Sequence, residues 1–187
     1  MEAMKTNERY TYADYESWSD DTPRCELIDG FIYAMAAPTR AHQWILGELS
    51  YQIRDYLRGK TCEVYVAPFD VRLNYDEADD TVVQPDLLIV CDMEKLENGK
   101  HCLGAPDFVI EILSPSNSRH DTVVKFEKYM QAGVREIWIV DPENKKIFAH
   151  RQIDKQYVTV CYNEHYKEAP VMVLDNCNIQ LAEVFRY

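Results

Sequence analysis

Glycine is scarce in this chain, and the glycine-based motifs of several large enzyme classes are missing. Six glycines occur among the 187 residues, and they form neither the GxGxxG pattern of dinucleotide-binding proteins nor a phosphate-binding P-loop. A GxSxG nucleophile elbow is also missing, and the five histidines do not form the zinc motif HExxH. No motif therefore supports an oxidoreductase, a P-loop nucleotidase, an α/β-hydrolase or a zincin.

Basic residues are outnumbered by acidic ones. The chain has 20 Lys and Arg against 32 Asp and Glu, which gives a formal net charge of −12. A charge of this sign disfavours non-specific binding to polyanions. The composition argues against a protein that coats nucleic acid by charge alone, but it leaves room for contact through a metal ion and a local basic patch.

Paired cysteine motifs are also lacking. The spacing of the six cysteines resembles neither a zinc site nor a small disulfide scaffold. We expect buried free thiols in a reducing compartment. The residues concerned are Cys25, Cys62, Cys91, Cys102, Cys161 and Cys177.

Long apolar runs are absent from the sequence as well. The N-terminal residues contain no apolar signal core, and no segment approaches the roughly 20 apolar residues of a membrane-spanning helix. We therefore expect a cytoplasmic protein that does not contact membranes.

The residues that are present suit one α/β domain, residues 1–187. Hydrophobic residues make up 47 % of the chain and aromatic residues 12 %, enough for a substantial core. Apolar periodicity predicts two long helices, Arg40–Arg58 and Arg119–Ala132, and a short helix that Thr11 caps. Strands are predicted at Cys25–Ile28, Phe31–Met35, Thr61–Val66, Asp70–Leu73, Leu87–Val90, Asp107–Leu113, Glu136–Asp141, Lys146–Arg151, Gln156–Tyr162, Val171–Leu174 and Ile179–Leu181. We expect a mixed β-sheet flanked by α-helices, with additional antiparallel hairpins at both ends and a loop at Met93–Leu103.

One predicted strand contains a carboxylate where an apolar side chain is expected. Glu111 interrupts the apolar run Phe108–Leu113, and a carboxylate in a strand covered on both faces is costly unless it is paired or binds a metal. In the helix that follows, Asp121, Lys125 and Tyr129 recur at a spacing of four and form one stripe. Lys125 is therefore a candidate partner of Glu111.

A second carboxylate, Asp86, follows a proline and opens the predicted strand Leu87–Val90. Two acids at adjacent strand ends would repel each other, which raises a pKa or demands a cation. Mg²⁺ suits such a site, because it binds one or two carboxylates together with water and phosphate oxygens. The residues leave a second interpretation open, in which Glu111 and Lys125 form a buried ion pair and Asp86 caps a turn. Among the histidines, His42 and His120 stand out as candidates for a role.

Five blocks of sequence, taken in order, resemble the Uma-two family of restriction-endonuclease-like proteins, a branch of the PD-(D/E)XK nuclease superfamily. The resemblance implies a restriction-endonuclease-like core, which is a mixed sheet with a helix on each side and a divalent metal at its centre. The blocks are CELIDG at 25–30, VQPD at 83–86, GAPDFVIEILSPS at 104–116, the residues Asp121, Lys125 and Tyr129, and GVREIWIVDP at 133–142.

The resemblance assigns roles residue by residue. Asp86 matches the aspartate of the PD half-motif, and Glu111 matches the acidic residue of the second half-motif. Leu113 stands where the superfamily has its lysine, and Lys125 from the following helix is the candidate replacement. Glu26 matches an additional acidic position, and Gln84 is a polar neighbour of the site.

The implied function is a metal-dependent endonuclease that hydrolyses phosphodiester bonds in DNA. Glu26, Asp86 and Glu111 would bind Mg²⁺ or Mn²⁺, which activates a water and polarises the phosphoryl oxygen. Lys125 would orient or deprotonate that water, or stabilise the developing charge.

Three further expectations stay open at this point. The charge of −12 and the missing motif lysine favour an alternative, a non-catalytic module that binds nucleic acid or protein. A hydrolase of a small phosphodiester is a weaker option. Exposed edge strands in the predicted terminal hairpins make a homodimer an expectation.

Overall fold

A computed structural model describes residues 8–18, 23–114, 119–163 and 165–187, without the side chains of 119–121. The helices are α1 Tyr12–Glu16, α2 Arg40–Leu57, α3 Arg119–Ala132 and α4 Leu181–Val184, and a 3₁₀ turn covers Met93–Leu96. The strands are β1 Cys25–Ile28, β2 Phe31–Ala34, β3 Glu63–Val66, β4 Val71–Arg72, β5 Val82–Val83, β6 Leu87–Val90, β7 Cys102–Leu103, β8 Phe108–Ile112, β9 Glu136–Asp141, β10 Lys146–Ile153, β11 Gln156–Asn163, β12 Glu168–Val171 and β13 Cys177–Gln180.

Six strands form the large sheet, in the order β11-β10-β9-β8-β6-β3. Strands β8 and β9 run parallel, while the other neighbours in this sheet pair antiparallel, so the sheet is mixed as predicted. Side chains of β6 alternate between its two faces. Leu87 and Ile89 pack in one core with α2, whereas Leu88 and Val90 pack in a second core with Tyr129 of α3. Apolar layers therefore cover both faces, and every residue of β8 is buried.

Five short strands form the small sheet, in the order β2-β1-β5-β4-β7. Its first hairpin, β1–β2, turns at Asp29 and Gly30, which have φ angles of 51° and 77°. Gly adopts such positive angles without a Cβ penalty. The antiparallel pairing of β1 with β2 confirms the predicted hairpin. The small sheet packs on the α3 side of the large sheet through Ile28 and Val71.

The two long helices lie where the sequence predicts them. Helix α2 begins at Arg40, and the Oγ1 of Thr39 accepts a hydrogen bond from the backbone N of His42 at 3.2 Å, as expected of an N-cap. Helix α3 covers the predicted residues. The Asp14 carboxylate accepts from the Thr11 backbone N at 2.8 Å, which confirms the predicted cap of α1.

The expectation of one mixed sheet is incomplete, because strands β1, β2, β4, β5 and β7 separate into the small sheet. Strands β5 and β7 have two residues each, too few for alternation to reveal them. The prediction of a loop at Met93–Leu103 is wrong at both ends. The first residues form the 3₁₀ turn, and the last two form β7. The last predicted strands are shifted to β12 and β13, which pair with each other, and α4 was not predicted.

The cysteines depart from the expectation of six free thiols. Cys62 and Cys91 form a disulfide. Strands β3 and β6 pair antiparallel with Glu63 opposite Val90, so Cys62, just before β3, lies beside Cys91, just after β6. Cys161 is free but exposed. The remaining three are buried free thiols, as predicted: Cys25, Cys102 and Cys177.

No helix within the described ranges has both the length and the apolar character needed to cross a membrane.

Candidate active site

All four predicted site residues meet at one small cavity, although they come from four parts of the fold. Glu26 lies on β1, Asp86 directly precedes β6, Glu111 lies on β8 and Lys125 lies on α3. Each lines the same cavity of about 90 Å³, which is large enough for several water molecules. The structure therefore brings the four candidate residues together at one place.

The pairing of β6 with β8 brings the first two carboxylates together. Leu87 lies opposite Ile110 in the antiparallel register, so the preceding residue, Asp86, is carried next to Glu111. Asp86 Oδ2 accepts a hydrogen bond from the backbone N of Ile112 at 2.7 Å. The side chain of Asp86 is thus fixed against the strand that carries Glu111.

Lys125 bridges two of the three carboxylates. Its Nζ lies 2.8 Å from Glu26 Oε1 and 2.6 Å from Glu111 Oε1. One turn further along α3, the Tyr129 hydroxyl donates to Glu111 Oε1 at 2.5 Å. The predicted helical stripe is confirmed for these two residues, while the side chains of its first member, Asp121, and of His120 lie outside the described residues.

Burial and charge shift the pKa values in this cluster. Burial, together with the charges of Asp86 and Glu26, raises the pKa of Glu111 to about 7 against the attraction of Lys125. Burial alone would lower the pKa of Lys125, but Glu111 and Glu26 outweigh burial and hold it above its ordinary value. Lys125 is therefore protonated at neutral pH, which suits it to stabilise negative charge and not to remove a proton.

Glu26 is the most deeply enclosed of the three acids, with 0 % of its surface exposed. Its Oε1 accepts from Lys125 Nζ and from the backbone N of Gln84, the latter at 2.7 Å. Its Oε2 is buried and has no hydrogen-bond partner among the described residues. A buried acceptor without a partner is rare and indicates a bound water or ion.

Two polar residues that the sequence did not assign to the site also line the cavity. Arg24 Nη2 donates to Gln84 Oε1 at 2.8 Å, and Gln84 Nε2 donates to Asp70 Oδ1 at 2.8 Å. Arg24 precedes Glu26 by two residues, so the two side chains share a face of the extended chain. That spacing is the signal that could have found Arg24.

His42 is the second such residue, and its Nε2 lies 3.1 Å from Asp86 Oδ1. The sequence marked His42 as a candidate without giving it a role. It precedes the buried Ile45 and Leu49 by three and seven residues, so helical periodicity places it on the buried face of α2.

Leu113, which stands at the position of the motif lysine, lines an adjacent groove and not this cavity. The groove is largely apolar, and its lining includes residues at the N-terminal end of α2 and in the turn between β9 and β10. In the described residues, the lysine that contacts Glu111 comes from α3 and is Lys125.

No group of three or more His, Cys, Asp or Glu side chains in the described ranges is arranged to hold a metal ion. In this cluster, Lys125 Nζ lies between Glu26 and Glu111 and bonds to both. The donor types still fit a hard divalent cation, which prefers carboxylate oxygens and water. Three acids outnumber the two basic residues at the cavity, Lys125 and Arg24, and Glu26 Oε2 is an acceptor without a partner among the described residues. The residues therefore fit Mg²⁺ or Mn²⁺ once Lys125 releases one carboxylate.

The fold is that of the nuclease-like class of mixed α/β proteins. The chain superimposes on a crystal structure described as "a putative nuclease belonging to DUF820 from Anabaena variabilis" with a TM-score of 0.78, covering 95 % of this chain and 98 % of that one at 20 % identity. At this identity the likeness shows the fold alone.

Residues 12–182 match the Uma2 family model, described as "Putative restriction endonuclease". The chain therefore belongs to the Uma2 family, which confirms the resemblance found in the sequence. An uncharacterized protein from Synechocystis sp. is 27 % identical over 117 residues, which cover 62 % of this chain and 60 % of that protein. The matched region thus spans less than two thirds of this relative.

Proposed function

We propose that the protein is a divalent-metal-dependent endonuclease that hydrolyses phosphodiester bonds in DNA. The observation that supports this proposal is the convergence of Glu26, Asp86 and Glu111 with a protonated Lys125 in one cavity. The three acids outnumber Lys125 and Arg24, the two basic residues at the cavity, and the excess negative charge favours a divalent cation. Membership of a family described as a restriction endonuclease agrees with this chemistry.

Mg²⁺ or Mn²⁺ would be held by Glu26, Asp86 and Glu111. When bound, such an ion activates a water and polarises the phosphoryl oxygen. The water oxygen forms a bond to phosphorus, the bond from phosphorus to one ester oxygen breaks, and that oxygen leaves with a proton from water.

The protein's own groups act on charge and orientation. Lys125 carries a hydrogen-bonding cation into a buried site, where it is suited to stabilise the negative charge that develops on the phosphoryl group. Tyr129 fixes Glu111 through its hydroxyl, and the backbone N of Ile112 fixes Asp86. Arg24, an exposed residue that lines the cavity, supplies a guanidinium for a backbone phosphate.

A non-catalytic module is the second candidate, and the two ion pairs of Lys125 favour it. Lys125 lies 2.6 and 2.8 Å from the two glutamates, so it can neutralise part of the cluster without any metal. In this alternative the site is a structural ion pair, and the protein binds nucleic acid or protein through another surface.

Cleavage of supercoiled plasmid separates the two candidates. We expect Mn²⁺-dependent nicking by the wild type and its loss in Asp86→Asn and Lys125→Met. Asp55→Asn is the control, because Asp55 forms an exposed ion pair with Arg58 on α2. Nicking that survives both site substitutions comes from a contaminant and contradicts the proposal.

We also propose a homodimer formed through β11, one of the two edge strands of the large sheet. The segment Gln156–Asn163 contains no charged residue and no proline, and Val158 is 48 % exposed. Edge strands usually carry charged residues or proline, which prevent pairing with another chain. An uncharged edge is where two chains of charge −12 can approach with the least electrostatic repulsion. A dimer mass by light scattering that Thr159→Lys converts to a monomer supports this interface, with Tyr51→Lys on α2 as the control. A monomeric wild type contradicts it.

A further inference from the structure

We propose that His42 is the positioning residue of this site, holding Asp86 in the orientation in which it binds a metal. The inference rests on the proposed function, and it concerns a residue to which neither the family description nor the resemblance assigns a role. Its support is the set of contacts that His42 makes and the one contact that it lacks.

The helix start places His42 rigidly. Thr39 caps α2 and accepts a hydrogen bond from the His42 backbone N, so His42 lies in the first turn of an 18-residue helix. The residue is 6 % exposed. Its ring is therefore held by packing on one side and by the candidate site on the other.

Both oxygens of the Asp86 carboxylate are then occupied by fixed donors. His42 Nε2 lies 3.1 Å from Oδ1, and the backbone N of Ile112 lies 2.7 Å from Oδ2. An ionised carboxylate only accepts hydrogen bonds, so Nε2 must carry the hydrogen. The backbone sets one oxygen and His42 sets the other, which leaves little freedom of rotation to Asp86.

The second ring nitrogen indicates that something binds beside His42. Its Nδ1 is buried and has no hydrogen-bond partner among the described residues. Glu26 Oε2 is in the same condition, and both residues line the same cavity. Two unpartnered buried atoms at one cavity point to a ligand there, and a water molecule has the donor hydrogens that acceptors of this kind require.

Groups that orient metal ligands affect metal affinity without touching the metal. Loss of such a hydrogen bond commonly costs about 10- to 100-fold in affinity. We expect metal affinity to depend on how far the side chain at position 42 carries its hydrogen-bond donor. The amide of glutamine extends about as far as imidazole Nε2, and the amide of asparagine does not.

The test is a calorimetric titration of the purified protein with Mn²⁺. We expect His42→Gln to bind within about threefold of the wild type, and His42→Asn and His42→Phe to bind about 10- to 100-fold more weakly. His101→Gln is the matched control, because His101 is also 6 % exposed but contacts Tyr12 and Arg72 away from the cavity. Melting curves without metal verify that each variant is folded.

The outcomes separate this inference from the proposed function. A wild type that binds Mn²⁺, together with His42→Asn and His42→Phe variants that bind it equally well, overturns the role of His42 and leaves the metal site standing. If His42→Gln and His42→Asn weaken Mn²⁺ binding equally, the positioning role is also overturned, because the length of the hydrogen-bonding side chain would then not matter. A wild type that takes up no Mn²⁺ overturns both proposals.

Discussion

Replacing Lys125 with methionine separates the ion pair from the metal site. Methionine has a similar length but no charge, so Glu26 and Glu111 lose a partner that lies 2.8 and 2.6 Å away. The Lys125 side chain is 7 % exposed and that of Glu26 is 0 % exposed, so both groups are largely shielded from bulk solvent. Breaking a buried pair in this way costs about 3–5 kcal/mol. For a protein of this size the loss corresponds to a melting temperature lower by about 6–20 °C.

A divalent cation should reverse much of that loss. Mn²⁺ at about 100 times its dissociation constant adds about 2.7 kcal/mol of stability. We expect this rise to be larger in Lys125→Met than in the wild type, because no ammonium competes for the glutamates. The assay is thermal unfolding at pH 8, where Glu111, with its pKa of about 7, is charged in the wild type, with and without Mn²⁺.

The control is Lys100→Met, which removes a surface ion pair with Glu16 whose lysine side chain is 72 % exposed. Such pairs contribute at most about 1 kcal/mol, so its melting temperature should change little. The reasoning is refuted if Lys125→Met melts like the wild type, or if Mn²⁺ fails to raise its melting temperature.

Three further predictions concern pH, a second buried ion pair and the disulfide. Because burial raises the pKa of Glu111 from 4.5 to about 7, its stabilising contribution is present below pH 4.5 and is lost as pH rises through 7. Wild-type stability relative to Glu111→Gln in urea should thus fall by on the order of 3 kcal/mol between pH 4.5 and 8 without metal, and by less with Mn²⁺. Glu136→Ala should cost about 3–5 kcal/mol by urea unfolding, because Glu136 is 0 % exposed and accepts from Arg151 Nε at 3.0 Å. Cys62→Ser should cost about 3–4 kcal/mol in the same assay, since the disulfide to Cys91 closes a loop across a separation of 29 residues.

Each of these predictions has a matched comparison. A pH profile that is identical for wild type and Glu111→Gln contradicts the raised pKa of that carboxyl. Glu183→Ala removes an exposed pair with Arg186 and should change stability by less than about 1 kcal/mol. For the disulfide, a reducing agent should destabilise the wild type and leave Cys62→Ser unchanged; equal responses would argue against the bridge.

A part of the candidate site could be predicted from the sequence because a charged residue stands within a run of apolar residues. Glu111 lies in a strand of five buried residues, and a run of apolar residues around one acid is visible without a structure. Lys125 and Tyr129 follow from helical spacing. Glu26 required the family resemblance, since nothing in its local pattern distinguishes it from an exposed strand residue.

Other contacts depend on long-range pairing that local patterns do not contain. The disulfide follows from the register of β3 against β6, and the small sheet from two-residue strands that pair far along the chain. The sequence predicts Glu136 only as the start of a buried strand, yet its Oε2 accepts from the backbone N of Met172 at 2.6 Å. Such contacts join residues that are distant in sequence, so composition and periodicity carry no trace of them.

The most direct test of the central claim is a crystal structure of the protein with Mn²⁺, using anomalous scattering to locate the ion. The account predicts a peak in the cavity, bound by Asp86 and Glu111, with Glu26 bound directly or through water. It also predicts that Lys125 no longer bridges both glutamates. A crystal in which Mn²⁺ binds elsewhere on the protein would contradict it, if the cavity shows no peak and Lys125 still lies between Glu26 and Glu111.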